Sequence, residues 1–207
     1  DLASRMDIDR MSGFLAQFGF GQRTALDIPE ASSGVLPSRA WKRGARGEPW
    51  YPGDSVNMGI GQGDVLVTPL QLATATMVIA NRGRFVRPRL LLASDQPLVE
   101  FDPPPQLQDV QGLTVEDWER MVDAMENVVH RGNLGYRQSG TAYAHIGQNL
   151  PYRIAGKSGT AQVVQIRQGE EYDERLLDEY QRKHAWFIGF APADDPQIVM
   201  AVLVENG

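Results

Sequence analysis

The sequence predicts an α+β fold, an antiparallel sheet flanked by helices, and three observations carry that expectation. Stretches of helical periodicity occupy the first two thirds of the 207 residues. Three strand-like runs, 153–165, 185–191 and 198–204, crowd the last third. Twenty-one glycines and 13 prolines supply the turns that such a mixture needs.

Along the chain, Met11, Phe14, Leu15 and Phe18 stand at helical spacing, which predicts one helix in the first twenty residues, ending at Gly19-Phe20-Gly21. Residues 22–67 read as loop, broken by Pro29, Pro37, Pro49, Pro52 and repeated glycines. The basic cluster Arg39, Lys42, Arg43 and Arg46 inside it reads as a solvated loop, with an anion site as the alternative. Thr68-Pro69 is a helix start with the cap and first-turn proline in place, and Asn81-Arg82-Gly83 is its stop. A strand is predicted over Phe85 to Leu92. Thr114 and Asp117 then form a capping-box pattern, with Asp where Glu or Gln is usual. Trp118, Met121, Val122, Met125, Val128 and Val129 make the apolar stripe of the helix that follows, a packing face. In the last third, Asp194-Asp195-Pro196 turns the second strand into the third as a hairpin. The charged stretch Gln168 to Lys183 reads as a protruding loop with some helix in it.

Composition narrows the function. With 42% hydrophobic and 22% charged residues, the chain has the make-up of a soluble globular domain. A net charge of −6 and a pI near 5.1 argue against nucleic acid as a partner. The absence of cysteine excludes disulfides, thiolate metal sites and cysteine nucleophiles. His130, His145 and His184 lie in separate segments without ligand spacing, so neither a metal nor a cofactor is expected. No apolar run reaches the ~18 residues of a membrane helix, and no targeting segment is read at the start.

Three segments could carry chemistry. Gly59-Ile60-Gly61-Gln62-Gly63 precedes a helix and could cradle a phosphate, but lacks the Lys-Ser/Thr of a P-loop; a tight turn is the other reading. Asp54-Ser55-Val56-Asn57 contains an S-x-N string. Lys157-Ser158-Gly159-Thr160 lies in a strand-like run. There an ammonium and two hydroxyls could bind a carboxylate, and Gly159 could let another backbone approach. Ser158 and Thr160 fall on one face, with Lys157 long enough to bend around the edge. An ordinary solvent-facing strand fits that tetrapeptide as well.

Taken in order, these segments resemble the transpeptidase domain of the elongation-type class B penicillin-binding proteins, the penicillin-binding protein 2 group. The matching stretches are Asp7-Ile8-Asp9-Arg10, Phe18-Gly19-Phe20-Gly21, Trp50-Tyr51-Pro52-Gly53-Asp54, and Gly59 to Gly63 with Thr68-Pro69-Leu70-Gln71. They continue with Ala155-Gly156-Lys157-Ser158-Gly159-Thr160-Ala161-Gln162-Val163, Phe187-Ile188-Gly189-Phe190-Ala191-Pro192 and Val204-Glu205-Asn206-Gly207.

The resemblance implies a penicillin-binding transpeptidase or serine β-lactamase-like fold. It also implies a serine D,D-transpeptidase that cross-links peptidoglycan stems ending in D-Ala-D-Ala and is acylated by β-lactams. Of the family's S-x-x-K, S-x-N and K-[ST]-G elements, the third is present. No serine here is followed three residues later by lysine, and Ser55-Val56-Asn57 stands too late in the order to be the second element. Residues 1–207 are therefore expected to be a partial domain, truncated at both ends, without the upstream motifs and the closing helix. By the same resemblance, Lys157 and Thr160 are catalytic, Thr160 offering its N–H to the oxyanion hole. Ser158, Gly159 and Thr160 bind substrate. The parent enzyme is expected at the periplasmic face of the bacterial inner membrane, with a glycan polymerase and elongation proteins as partners. A β-lactam sensor or class D-like β-lactamase, or a non-enzymatic peptide-binding module, are the alternatives.

Overall fold

The computed structural model describes residues 2–25, 27–28, 32–92, 107–132, 138–162 and 178–206. The chain divides into two compact units, 1–118 and 119–207.

The first unit is helical. Where one N-terminal helix was predicted there are two, α1 (Leu2–Arg5) and α2 (Ile8–Ala16). Asp7 makes the break: its carboxylate accepts from the N–H groups of Asp9 and Arg10, so it caps a new helix instead of continuing the first. The segment expected to be a loop contains α3 (Arg39–Arg46), capped by the Ser38 hydroxyl and ended by left-handed Gly47, and α4 (Pro52–Gly59). Gly59 lets α1 lie against α4, since a Cβ there would fall 2.2 Å from the Cβ of Ala3.

Helix α5 (Pro69–Ala80) starts and stops as predicted, with Thr68 and Gln71 in a reciprocal capping box. Gln71 is only 1% exposed, and its amide nitrogen donates to the carbonyls of Gln22 (3.0 Å) and Ser33 (2.7 Å) as well as Gly19. One side chain thus caps α5 and ties down the irregular segment before it. Phe18 packs edge-on to Phe14 and beside Trp118, which fills the space over Gly83.

The strand expected over Phe85 to Leu92 does not form. The N–H of Phe85 donates to Asp109 and those of Leu90 and Leu91 to Asp27, so carboxylates take the donors a ladder would have used.

The second unit holds most of α6 (Val115–His130), the short α7 (Tyr143–Ile146), and strands β1 (Ala155–Ala161), β2 (His184–Ala191) and β3 (Ile198–Val204). The Thr114–Asp117 capping box closes at the start of α6, and Val122, Met125 and Val129 of its stripe are buried. The sheet is antiparallel throughout in the order β1-β2-β3, and β2 and β3 form the expected hairpin. Ile198, Met200, Val202 and Val204, alternate residues of β3, are all exposed. The run predicted to continue to residue 165 is a strand to Ala161, and 163–165 lie outside the described residues. Residues 168–177 of the charged stretch also lie outside them; Glu179–Gln181 forms a 3-10 turn.

Candidate active site on the edge strand

The Lys157–Thr160 segment is the middle of β1, and β1 is one of the two edge strands of the sheet among the described residues, β3 being the other. One side of β1 pairs with β2, and no strand among the described residues pairs with the other. In the ladder Ser158 lies opposite Phe187, Thr160 opposite Ala185, and Lys157 opposite Ile188. Ser158 and Thr160 therefore share a face and Lys157 belongs to the other, as strand alternation requires. The Lys157 side chain bends back, and its Nζ donates to the Ser158 carbonyl at 2.6 Å. Lys157, Gly159 and Thr160 are exposed and Ser158 is half-buried, so the three polar side chains are within reach of a bound molecule.

The two glycines of the strand differ. A Cβ on Gly156 would lie 2.5 Å from the Phe187 ring, so the sheet itself demands glycine there. A Cβ on Gly159 would meet only the Cβ of Trp186, at 3.5 Å, an ordinary contact.

The C-terminal end of α6 holds this strand in place. Arg153 forms an ion pair with Glu126, and the N–H of Ile154 donates to His130 Nε2 at 2.8 Å, fixing the backbone just before β1. The same helix end binds a turn at Gly140-Thr141-Ala142. The N–H of Gly140 donates to the Arg131 carbonyl (2.7 Å) and that of Ala142 to the Val128 carbonyl (3.0 Å). The Val128 carbonyl, in the last turn of the helix, is satisfied in this way. Thr141, between them, places its Oγ1 3.3 Å from Ser158 Oγ. Sequence reasoning missed Thr141 and His130; the glycine at 140, beside a threonine in an otherwise unpatterned stretch, is the one local signal.

The other candidate segments are structural. The glycine-rich loop turns its donors inward: the N–H groups of Ile60 and Gln62 bind the Asn57 carbonyl and that of Gly61 binds the Met58 carbonyl. Gly61 and Gly63 have the positive φ that such a helix stop requires. A phosphate would find these donors taken. Ser55 is buried on α4, where its Oγ accepts from Trp50 Nε1 at 2.9 Å, so Ser55-Val56-Asn57 is a packing element.

The basic cluster is a helix, which corrects the loop part of the expectation; Arg39, Arg43 and Arg46 are exposed as expected, and Lys42 is buried. Arg39 pairs with Asp7 and Asp9, Arg46 with Asp64, and Lys42 with Asp54. The bond from Arg39, with the N–H of Arg10, holds the Asp7 carboxyl below the usual aspartate range. Partial burial would push Asp54 up, but the Lys42 ammonium and the Tyr51 N–H together hold it below that range. Lys42 is raised in turn, chiefly by its bond to Asp54. Among the described residues no cluster of three or more histidine or acidic side chains could hold a metal, and no helix is long and apolar enough to cross a membrane.

The penicillin binding protein transpeptidase domain, as a family, matches residues 1–207. The chain belongs to this transpeptidase family. Among curated members it is 44% identical to the peptidoglycan D,D-transpeptidase MrdA of Acinetobacter baumannii, over 100% of this chain and 29% of that protein. It is 37% identical to MrdA of Escherichia coli K12, over 100% of this chain and 32% of that one. The chain thus spans about three tenths of the length of these relatives.

Among solved transpeptidase-family structures it is similar to Pseudomonas aeruginosa PBP2 in complex with WCK 5153. The TM-score is 0.81 at 43% identity, covering 100% of this chain and 41% of that one. Helicobacter pylori PBP2, in a complex with MreC, gives a TM-score of 0.76 at 28% identity, covering 100% and 34%. The expected transpeptidase fold, with its antiparallel sheet and flanking helices, is therefore present.

Proposed function

We infer that this chain is the K-[ST]-G-bearing part of a peptidoglycan D,D-transpeptidase of the MrdA type. One observation carries the reading: in a chain of this family, exposed Lys157 and Thr160 and half-buried Ser158 stand on an edge strand whose outer side pairs with no other strand among the described residues. A stem peptide laid along β1 would gain main-chain hydrogen bonds from the edge. Its terminal carboxylate would meet the Lys157 ammonium and the hydroxyls of Ser158 and Thr160. The sheet tolerates a side chain at Gly159, so glycine there serves the approach of that peptide. The backbone N–H of Thr160 would point into an oxyanion hole and stabilise charge on the attacked carbonyl.

The nucleophilic serine lies outside these 207 residues in this reading, because no serine here has lysine three residues on. It attacks the D-Ala-D-Ala amide, D-alanine leaves, and the amine of a neighbouring stem resolves the acyl-enzyme into a cross-link. The exposed apolar row on β3, Ile198 to Val204, favours a further covering element outside the described residues. A β-lactam would occupy the donor position. The setting would be the periplasmic face of the inner membrane, alongside a glycan polymerase and elongation proteins. The MreC complex of the Helicobacter pylori relative supports partners of that kind. Named relatives that are transpeptidases favour this reading over a β-lactam sensor or a class D-like β-lactamase.

The test is to label the full-length protein with a fluorescent penicillin, digest it and map the label. The expected result is one stoichiometric label on a serine of an S-x-x-K segment outside these residues. A label within the 207 residues, or catalytic turnover of the penicillin, overturns the reading.

A further inference from the structure

Thr141 is 17 residues away from Ser158 in sequence, yet the two hydroxyl oxygens are 3.3 Å apart. Their meeting is imposed by the backbone. Gly140 and Ala142, on either side of Thr141, are both bonded through their N–H groups to the end of α6, Ala142 to Val128 in its last turn and Gly140 to Arg131, the residue after it. A Cβ on Gly140 would fall 2.2 Å from the Asn127 carbonyl oxygen and 2.3 Å from that of Val128, so the turn sits as close to the helix as a backbone can. Ala142 is buried. Ile154, at the entrance to β1, is bonded to His130 of that same last turn. Both hydroxyls are therefore referenced to one helix end, and neither side chain has to find the other by chance.

A hydroxyl carries one proton and two acceptor lone pairs. When Ser158 donates its proton to a carboxylate, its oxygen can still accept, and Thr141 is the donor within reach. The order Thr141 O–H to Ser158 Oγ, then Ser158 O–H to carboxylate, satisfies both groups. It leaves Ser158 one preferred direction for its proton and polarises that bond toward the anion.

We propose that Thr141 is a positioning residue of the edge-strand site: its hydroxyl orients that of Ser158 toward the carboxylate of a bound stem peptide or β-lactam. This rests on the reading of Lys157, Ser158 and Thr160 as the carboxylate site. It adds a residue outside the K-[ST]-G strand, one that acts through Ser158.

The experiment is acylation of the full-length protein by a fluorescent penicillin and by the methyl ester of the same penicillin. The proteins compared are wild type, Thr141→Val, Thr141→Ser, Ser158→Ala, the Thr141→Val/Ser158→Ala double variant and Lys157→Ala. Valine keeps the shape of threonine and removes the hydroxyl. Thr141→Val is expected to slow acylation by the free acid roughly three- to tenfold, the size of one neutral hydrogen bond. Thr141→Ser should return it to within about twofold of wild type. The effect of Thr141→Val should shrink toward nothing on the ester, and it should add nothing in the Ser158→Ala background.

If Lys157→Ala and Ser158→Ala are slow while Thr141→Val acylates like wild type, the proposal falls and the site reading stands. Equal slowing of acid and ester, or full additivity with Ser158→Ala, makes Thr141 a merely structural residue and also overturns it. Wild-type rates in Lys157→Ala and Ser158→Ala remove the site reading and this proposal with it.

Discussion

Lys42 on α3 holds its ammonium 2.5 Å from the Asp54 carboxylate at the start of α4, over the face of the Tyr51 ring. The Asp54 carboxylate also accepts from the Tyr51 N–H at 2.8 Å, so one acidic group caps α4 and anchors α3 to it. Lys42 is 5% exposed, deep for a lysine, and its burial is tolerable because the charge is matched.

This pair makes stability depend on pH in a fixed direction. Asp54 is held below its ordinary 3.8, so its contribution is present above that value and lost as pH falls through the lower folded value. Lys42 is raised above its ordinary 10.5, so its share is present below that and lost only above it. In the full-length protein, Asp54→Asn should reduce stability at neutral pH. The gap to wild type, read by urea unfolding, should hold above 3.8 and close as pH falls below it through the lower folded value. A gap that stays constant with pH would count against the assignment.

Gln71 should be among the costliest single polar positions in the first unit. Gln71→Met keeps the volume but leaves the carbonyls of Gln22 and Ser33 without their donor and the Thr68 N–H without its acceptor. A loss of about 2–4 kcal/mol is expected, from several bonds at about 1 kcal/mol each. Denaturant midpoints at constant slope are the measurement.

Gly140 and Gly44 should respond to alanine with opposite signs. Gly140→Ala forces a Cβ into two carbonyl oxygens and should cost roughly 1–3 kcal/mol while slowing acylation, because the Thr141 turn must move. Gly44 sits inside α3 with nothing within 4 Å of a built Cβ. There alanine should stabilise by about 0.5–1 kcal/mol through helix propensity. Thermal unfolding of both variants decides the matter.

Lys157→Ala should slow acylation of the full-length protein by a penicillin roughly ten- to a hundredfold, the range of one charge-assisted hydrogen bond. Since Lys157 is exposed, the melting temperature should stay within about a degree of wild type. An unchanged acylation rate would refute the role given to this ammonium.

Features written in short stretches of sequence were legible. Thr68-Pro69, the Thr114–Asp117 cap, the α6 stripe and the β2–β3 hairpin each depend on neighbours a few residues away, and each forms where expected. Helix α3 was misread because the features that give its basic side chains a role lie elsewhere. Arg39 is paired with Asp7 and Asp9, some thirty residues back, and Lys42 with Asp54. The predicted strand at Phe85 to Leu92 failed for the mirror reason, since remote carboxylates claimed its donors.

The amino-acid sequence by itself determined the family, the α+β class and the tetrapeptide Lys157-Ser158-Gly159-Thr160, because motif identity and strand alternation are local properties. Tertiary structure decided what surrounds that tetrapeptide. It left one side of β1 unpaired by any strand among the described residues, committed the loop N–H groups at 60–62 to the end of α4, and buried Ser55 against Trp50. It also set the Thr141 hydroxyl against Ser158. Such relationships join segments separated by many residues through backbone bonds to a shared helix end, and no periodicity in the chain encodes them.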